Sequence, residues 1–251
     1  MTAPVFIVEP GALTGLTGDR VDRIVLSGAE GRHAVSVRRL RIGEDIVLTD
    51  GTGTGAYGTV AAVEGKDHLE VAVTALRSEP APRPRITVVQ ALPKGDRGEL
   101  AVETMTETGV DAIVPWAAVR CVTQWRAERG AKALAKWRST AREAAKQSRR
   151  LRFPDVDELM TTRQVAALLA GAAFAAVLHE EGSEPLASAA LPADGDIVLV
   201  VGPEGGVAPE ELDAFAAAGA KPYRLGASVL RTSTAGVAAT ALLLGRTGRW
   251  G

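Results

Sequence analysis

The segment Asp196 to Leu212 reads DIVLVVGPEGGVAPEEL. Ile197–Val201 is an unbroken apolar run rich in β-branched residues, as expected of a strand buried on both faces. Gly202, Pro203, Gly205 and Gly206 then end it: proline fixes φ, and glycine allows positive φ and close approach of a neighbour. Pro209, Glu210 and Glu211 suit the first turn of a helix. The proline gives up an amide that has no partner there, and the carboxylates meet the positive end of the helix dipole. The segment therefore reads strand, bare loop, helix. In parallel α/β sheets such loops sit at the carboxyl ends of strands, where ligands bind. The acidic first turn disfavours a phosphate and suits a neutral or cationic ligand. Neither GxGxxG nor GxxxxGK[ST] occurs, so nothing indicates a dinucleotide or nucleoside triphosphate.

The same alternation extends outward through the second half. Strands are expected at 86–92, 112–115, 173–178, 197–201 and 223–225, with helices at 96–108, 132–150, 162–169, 209–218 and 235–246. This predicts an α/β domain with a mostly parallel sheet covered on both faces. Upstream, Pro80, Pro82 and Pro84 interrupt the chain, so residues 79–85 read as an extended linker. Before it the pattern is short strands, at 4–9, 44–49, 56–63 and 68–76, with one helix near 29–40. That predicts a small β-barrel over residues 1–78, ahead of an α/β domain over 86–251.

Composition sets outer bounds. The chain has 251 residues, 46% of them apolar, a net charge of -1, one cysteine and three histidines. No apolar run reaches the roughly 18 residues of a membrane span, and the N-terminus lacks the pattern of a secretory signal. The lone Cys121 excludes an internal disulfide and reads as a small buried hydrophobe. His33, His68 and His179 lie far apart, with no metal-ligand spacing. A cytoplasmic protein without a metal is the expectation.

Positive charge is local. In KALAKWRSTAREAAKQSRRLR, Lys132 to Arg152, residues Leu134, Trp137, Ala141, Ala144, Ser148 and Leu151 form a packing stripe. Arg138, Arg142, Lys146 and Arg150 stack on another face, with Gln147, Arg149 and Arg152 beside them, and only Glu143 opposes them within the segment. A self-repelling face points to a phosphate backbone more than to a merely solvated helix. Arg38, Arg39 and Arg41 form a second basic group, and Lys94 and Arg97 a third. Together they predict a long anionic partner.

A second bare loop follows the last short strand: LGASVLRTSTA, Leu225 to Ala235, with Ser233 expected to cap the next helix. VGPEGG, this loop, LHEE at Leu178–Glu181, HAVSVRRLRIGE at His33–Glu44, the run Gln90–Trp116 and QSRRLRFP at Gln147–Pro154 occur in one chain. In their order and spacing they resemble the RsmE family of 16S ribosomal RNA uracil-N3 methyltransferases, within the SPOUT superfamily. Ser233 stands where that family usually has an acid, and Lys146 where it often has glutamate. The resemblance implies a PUA-like N-terminal barrel and a SPOUT domain with a deep C-terminal trefoil knot at about 173–246. It also implies a homodimer, S-adenosyl-L-methionine as cofactor, and 16S rRNA or the small ribosomal subunit as partner. By the same resemblance Leu178, His179, Val201, Gly202, Pro203, Glu204, Gly205, Gly206, Leu225, Gly226, Val229 and Leu230 hold the cofactor, largely through backbone. Arg231 would stabilise negative charge on the uracil, and Glu204 would orient the base or take its proton. Two alternatives stay open at this point: an RNA-binding assembly factor with a relic pocket, and a SPOUT methyltransferase acting on another RNA position.

Overall fold

The computed structural model describes residues 3–16 and 22–250. They form two units, one built from the chain up to Ala81 with Ala145–Phe153, the other from Pro82–Ala144 and the chain beyond Pro154.

In the first unit, Val5–Ile7 (β1), Asp22–Leu26 (β2), Asp45–Thr49 (β3), Thr54–Glu64 (β4) and His68–Ser78 (β5) pair in the order β1-β3-β4-β5-β2. β1 runs parallel to β3, and the other pairs are antiparallel. Phe6, Ile46, Leu48, Leu69 and Val71 fill its core. The sequence reading places no strand at β2, although DRIVL does bury Ile24 and Leu26 in alternation. The helix expected at 29–40 is a short α-helix, Gly28–Arg32 (α1), running into a π-helical turn, His33–Val37. A side chain at Gly31 would place its Cβ 2.0 Å from the carbonyl oxygen of Asp67, so only glycine lets α1 lie this close to the strands.

The second unit contains a seven-stranded sheet. Its strands are Arg85–Ala91 (β6), Ala112–Trp116 (β7), Asp155–Val156 (β8), Phe174–Leu178 (β9), Glu184–Pro185 (β10), Asp196–Val201 (β11) and Lys221–Arg224 (β12). They lie in the order β10-β12-β9-β11-β6-β7-β8, and every neighbouring pair is parallel. β6, β7 and β11 are buried almost throughout, which is why their sequences are apolar runs rather than alternations. The helices are Arg97–Thr108 (α2), Ala127–Gln147 (α3), Thr162–Ala170 (α4), Pro209–Ala217 (α5) and Thr232–Arg246 (α6). The aromatic rings of Trp116 and Phe215 meet edge to face at 5.2 Å within the core.

Two boundaries correct the sequence reading. α3 begins at Ala127, five residues earlier than expected, and ends at Gln147, so Arg150 and Arg152 lie beyond it. α6 begins at Thr232 with Arg231 as its N-cap and no side-chain cap. Ser233 is therefore inside the first turn and buried, not capping.

Candidate functional site

The carboxyl ends of β9, β11 and β12 open onto one cavity of about 590 Å³ in the second unit. That is in the range of small-molecule sites. Leu178 and His179 enter from β9. Val201 through Val207 form one wall after β11, and Arg224 through Thr232 form another after β12. All twelve residues that the sequence reading groups as a binding pocket line this one space, with Arg231 and Arg97.

Polar contacts hold the two loops together. The Thr232 hydroxyl donates to the carbonyl of Gly202 at 2.7 Å and accepts from the fully buried Gln90 amide at 3.0 Å. The first residue of α6 is thus tied both to the loop after β11 and to β6. Pro203 and Gly206 close a turn, Gly206 N–H to Pro203 C=O at 2.9 Å, with Gly206 at φ +75°, where a side chain would be strained. A Cβ at Gly202 would approach Val207 Cγ2 to 2.8 Å. A Cβ at Gly226 would meet no protein atom within 4 Å, so there the missing side chain serves space rather than packing.

Arg120 is a wall residue that the sequence reading missed. It lies in the segment after β7, and its guanidinium donates to the Gly205 carbonyl at 3.1 Å. The rule that carboxyl-end loops converge could have pointed to it. Glu211, 2% exposed, holds this segment in place. Its Oε1 accepts from the Val119 amide and the Thr162 hydroxyl, both at 2.9 Å, and its Oε2 accepts from the Ala208 amide at 3.1 Å. Next to Arg120, burial pushes the Cys121 thiol above its ordinary pKa.

The wall carries Glu180 and Glu204 against Arg97, Arg120, Arg224 and Arg231. Glu204 accepts from the Lys94 amide at 3.2 Å and faces the Arg97 guanidinium at 3.9 Å. These contacts fit an anchor for the loop better than a base. Arg231 is exposed, and its guanidinium has no ion-pair partner among the described residues. Val229 and Leu230 expose apolar surface at the same rim. The site thus offers bare backbone and apolar contact for a ligand, and an uncommitted cation for charge that develops next to it.

The basic helix behaves differently from its sequence. Arg138 pairs with Glu158 at 2.9 Å, Lys136 with Glu99 at 3.0 Å and Lys132 with Glu128 at 2.7 Å. Lys146 is buried and donates to Glu30 at 2.8 Å. The opposing carboxylates come mostly from other elements, so the face is less self-repelling than the segment alone implies. Arg152 is bound inward, to the carbonyl of Glu79. Arg38, Arg39, Arg41, Arg142, Gln147 and Arg149 are exposed, and Arg150 is partly buried.

A family described as RNA methyltransferase domain matches residues 79–244, and one described as RNA methyltransferase PUA domain matches residues 26–74. The chain is 45% identical, over 254 residues, to ribosomal RNA small subunit methyltransferase E of Mycobacterium tuberculosis, covering all of this chain and 94% of that one. The Bacillus subtilis protein of the same name is 29% identical, over 84% of this chain and 85% of its own. A ribosomal RNA small subunit methyltransferase E from Neisseria gonorrhoeae, solved bound to S-adenosyl methionine, superposes with a TM-score of 0.84 at 28% identity over 98% of both chains. A Legionella pneumophila protein solved with the same cofactor gives a TM-score of 0.84 at 26% identity over 98% of both chains.

Proposed function

The chain belongs to the RsmE family of S-adenosylmethionine-dependent ribosomal RNA methyltransferases, and we propose that its acceptor is N3 of one uracil in 16S rRNA of the small subunit. The observation that carries this reading is the cavity between the Gly202–Gly206 loop and the loop after β12, with the uncommitted Arg231 at its edge. Backbone there is bare, which fits the adenosyl and methionine parts of the cofactor. The cofactor supplies an electrophilic methyl group on a sulfonium sulfur, so the reading needs no metal.

Attack by N3 forms the N–C bond as the methyl–sulfur bond breaks and the sulfonium leaves as the neutral thioether S-adenosylhomocysteine. The imide proton passes to solvent water, and the negative charge it leaves spreads onto the two ring carbonyls. Arg231 stabilises that charge and favours the reactive form of the base. Glu204 keeps the loop in register through Lys94 and Arg97. Holding the two reactants in line supplies much of the remaining acceleration. N3 is hidden in a base pair, so the target uracil is unpaired or extruded when it reacts.

In this reading residues 1–78 are a PUA-like RNA-binding domain, joined by a linker at 79–85 to a SPOUT domain over 86–251, whose segment Ala145–Phe153 is lent to the first unit. The second glycine loop closes a trefoil knot at about 173–246. The protein acts in the cytoplasm as a homodimer. The RNA contacts fall to Arg38, Arg39, Arg41, Gln147, Arg149 and Arg150 in the first unit, and to Lys94, Arg97 and Arg142 in the second. Among the described residues no helix is long and apolar enough to cross a membrane.

Arg231→Ala tests the assignment. Methylation of small subunits falls by about 10²–10³, the usual loss of one preorganised charge-stabilising donor. Cofactor affinity, measured by calorimetry, stays within about threefold of wild type, well under one 1.4 kcal/mol step. Full activity in the variant would remove Arg231 from the mechanism. Absence of cofactor binding in the wild type would leave the relic-pocket alternative.

A further inference from the structure

A second, smaller recess lies wholly within the first unit, walled by Phe6, His33, Arg38, Lys146, Gln147 and Arg149 among others. Its volume is about 70 Å³. A water occupies about 30 Å³ of liquid, so the recess has room for two waters or one tetrahedral oxyanion and is too small for a nucleobase ring.

The wall is built, not incidental. Lys146 exposes only 3% of its side chain, and its ammonium sits 2.8 Å from Glu30 Oε1, 3.5 Å from His33 Nδ1 and 5.8 Å from the centre of the Phe6 ring. The other Glu30 oxygen accepts from the Ile7 amide at 3.1 Å. This pair is close to neutral and pins α1, β1 and the end of α3 around the recess. Arg38 and Arg149 remain in surplus: both are exposed, and neither guanidinium has a carboxylate partner among the described residues. Two such cations beside one concavity repel each other unless an anion lies between them.

The backbone holds them there at a cost. Arg149 has φ 61°, and Arg39, next to Arg38, has φ 56°. The left-handed region penalises any residue with a Cβ. His33 and Arg38 also flank a π-helical turn, a distortion frequent at functional sites. Strain of this kind collects where a site must hold a set geometry.

We propose that this recess is a subsite for one phosphate group of the RNA, clasped by the planar forks of Arg38 and Arg149 above the Lys146–Glu30 pair, with the Gln147 amide as a neutral donor. The proposal rests on the reading that the first unit contacts RNA. It also gives a role to Lys146, which stands where the family often has glutamate: with Glu30 it shapes the floor and leaves the recess cationic.

The test uses the full-length protein, a labelled single-stranded fragment of small-subunit rRNA, and the variants Arg38→Gln and Arg149→Gln. Affinity is measured between 50 and 200 mM salt, the span, about fourfold, over which phosphate contacts lose most affinity. The slope of log K against log salt should fall by up to about 0.7 in either variant, and by no more than about 0.7 in the double variant, because the two arginines share one single-strand phosphate contact. Cofactor affinity should stay at the wild-type value, which shows that the variants are folded. A slope and affinity equal to wild type would overturn the proposal while leaving the wider RNA reading intact. Wild-type binding with no salt dependence would overturn both. In a second arm inorganic phosphate is titrated while the NMR signals of His33 and the arginine side chains are followed. Saturable shifts that disappear in Arg149→Gln support an oxyanion site. The same shifts with an unchanged RNA slope would assign the recess to free phosphate and overturn the RNA subsite.

Discussion

Replacing Glu211 with alanine removes the acceptor from three donors at once. The carboxylate is 2% exposed and bonds the Val119 amide, the Thr162 hydroxyl and the Ala208 amide. Each buried donor left without a partner costs about 1–3 kcal/mol, so three would cost about 3–9 kcal/mol. The Val119 and Thr162 bonds are only part-buried, so water holds the loss in Glu211→Ala toward the lower end of that range. Glu211→Gln keeps the shape and one acceptor oxygen. Its amide nitrogen then faces either the Ala208 N–H or the pair formed by Val119 and Thr162, and the loss should be about 1–3 kcal/mol. Urea unfolding ranks the three proteins, with an unchanged m-value showing that the unfolded states are alike. The loss is also local to the cavity, because Glu211 fixes the segment that carries Arg120 against Gly205. Cofactor affinity of the folded alanine variant should drop roughly tenfold, equivalent to about 1.4 kcal/mol, and the glutamine variant should recover part of it. An alanine variant within about 1 kcal/mol of wild type would show that water satisfies these donors and that the clamp reasoning is wrong.

Three further outcomes follow from the same geometry. Gly202→Ala brings a Cβ to 2.8 Å from Val207 Cγ2, and overpacking of this kind costs about 1–3 kcal/mol; calorimetry should show weaker cofactor binding, and unchanged affinity would mean the loop yields freely. Cys121 is 8% exposed and its thiol pKa is raised by burial, so a disulfide reagent at neutral pH should label it only on unfolding; prompt labelling of native protein would contradict this. Burial, followed by repulsion from Asp155, raises the Asp157 pKa, so its ionisation is penalised in the folded state. The favourable contribution of the protonated form is complete below the unfolded pKa and is lost as pH rises through the folded value. Asp157→Asn should therefore be more stable than wild type at neutral pH, with the gap closing in acid; a gap that widens in acid would reverse the sign.

Much of the second unit was legible because its strands are continuous apolar runs and its helices carry period and punctuation. Pro209 opens α5 where the sequence places it, and Gly202–Gly206 end β11 as the glycines demand. The grouping of the two loops into one pocket was reachable through the rule of carboxyl-end loops together with the family resemblance. What stayed hidden is non-local. Nothing near Arg138 or Lys146 in the chain announces that Glu158 and Glu30 will neutralise them, so the charged face looked freer than it is. The return of residues 145–153 to the first unit has no local signal, and neither has the meeting of Arg120 with Gly205. Ser233 misled for a different reason. Ser, Thr and Asn residues mark the start of a helix only to within a turn, and here the α6 boundary is set by the Thr232 bond to Gly202.

The most direct test is to incubate purified small subunits lacking the modification with the protein and S-adenosylmethionine labelled in its methyl group. The 16S rRNA is then digested and each labelled nucleoside identified by mass spectrometry. The account predicts label in 3-methyluridine at a single site, lost in Arg231→Ala. Label on a ribose oxygen, on another base, or on no nucleoside at all would contradict it.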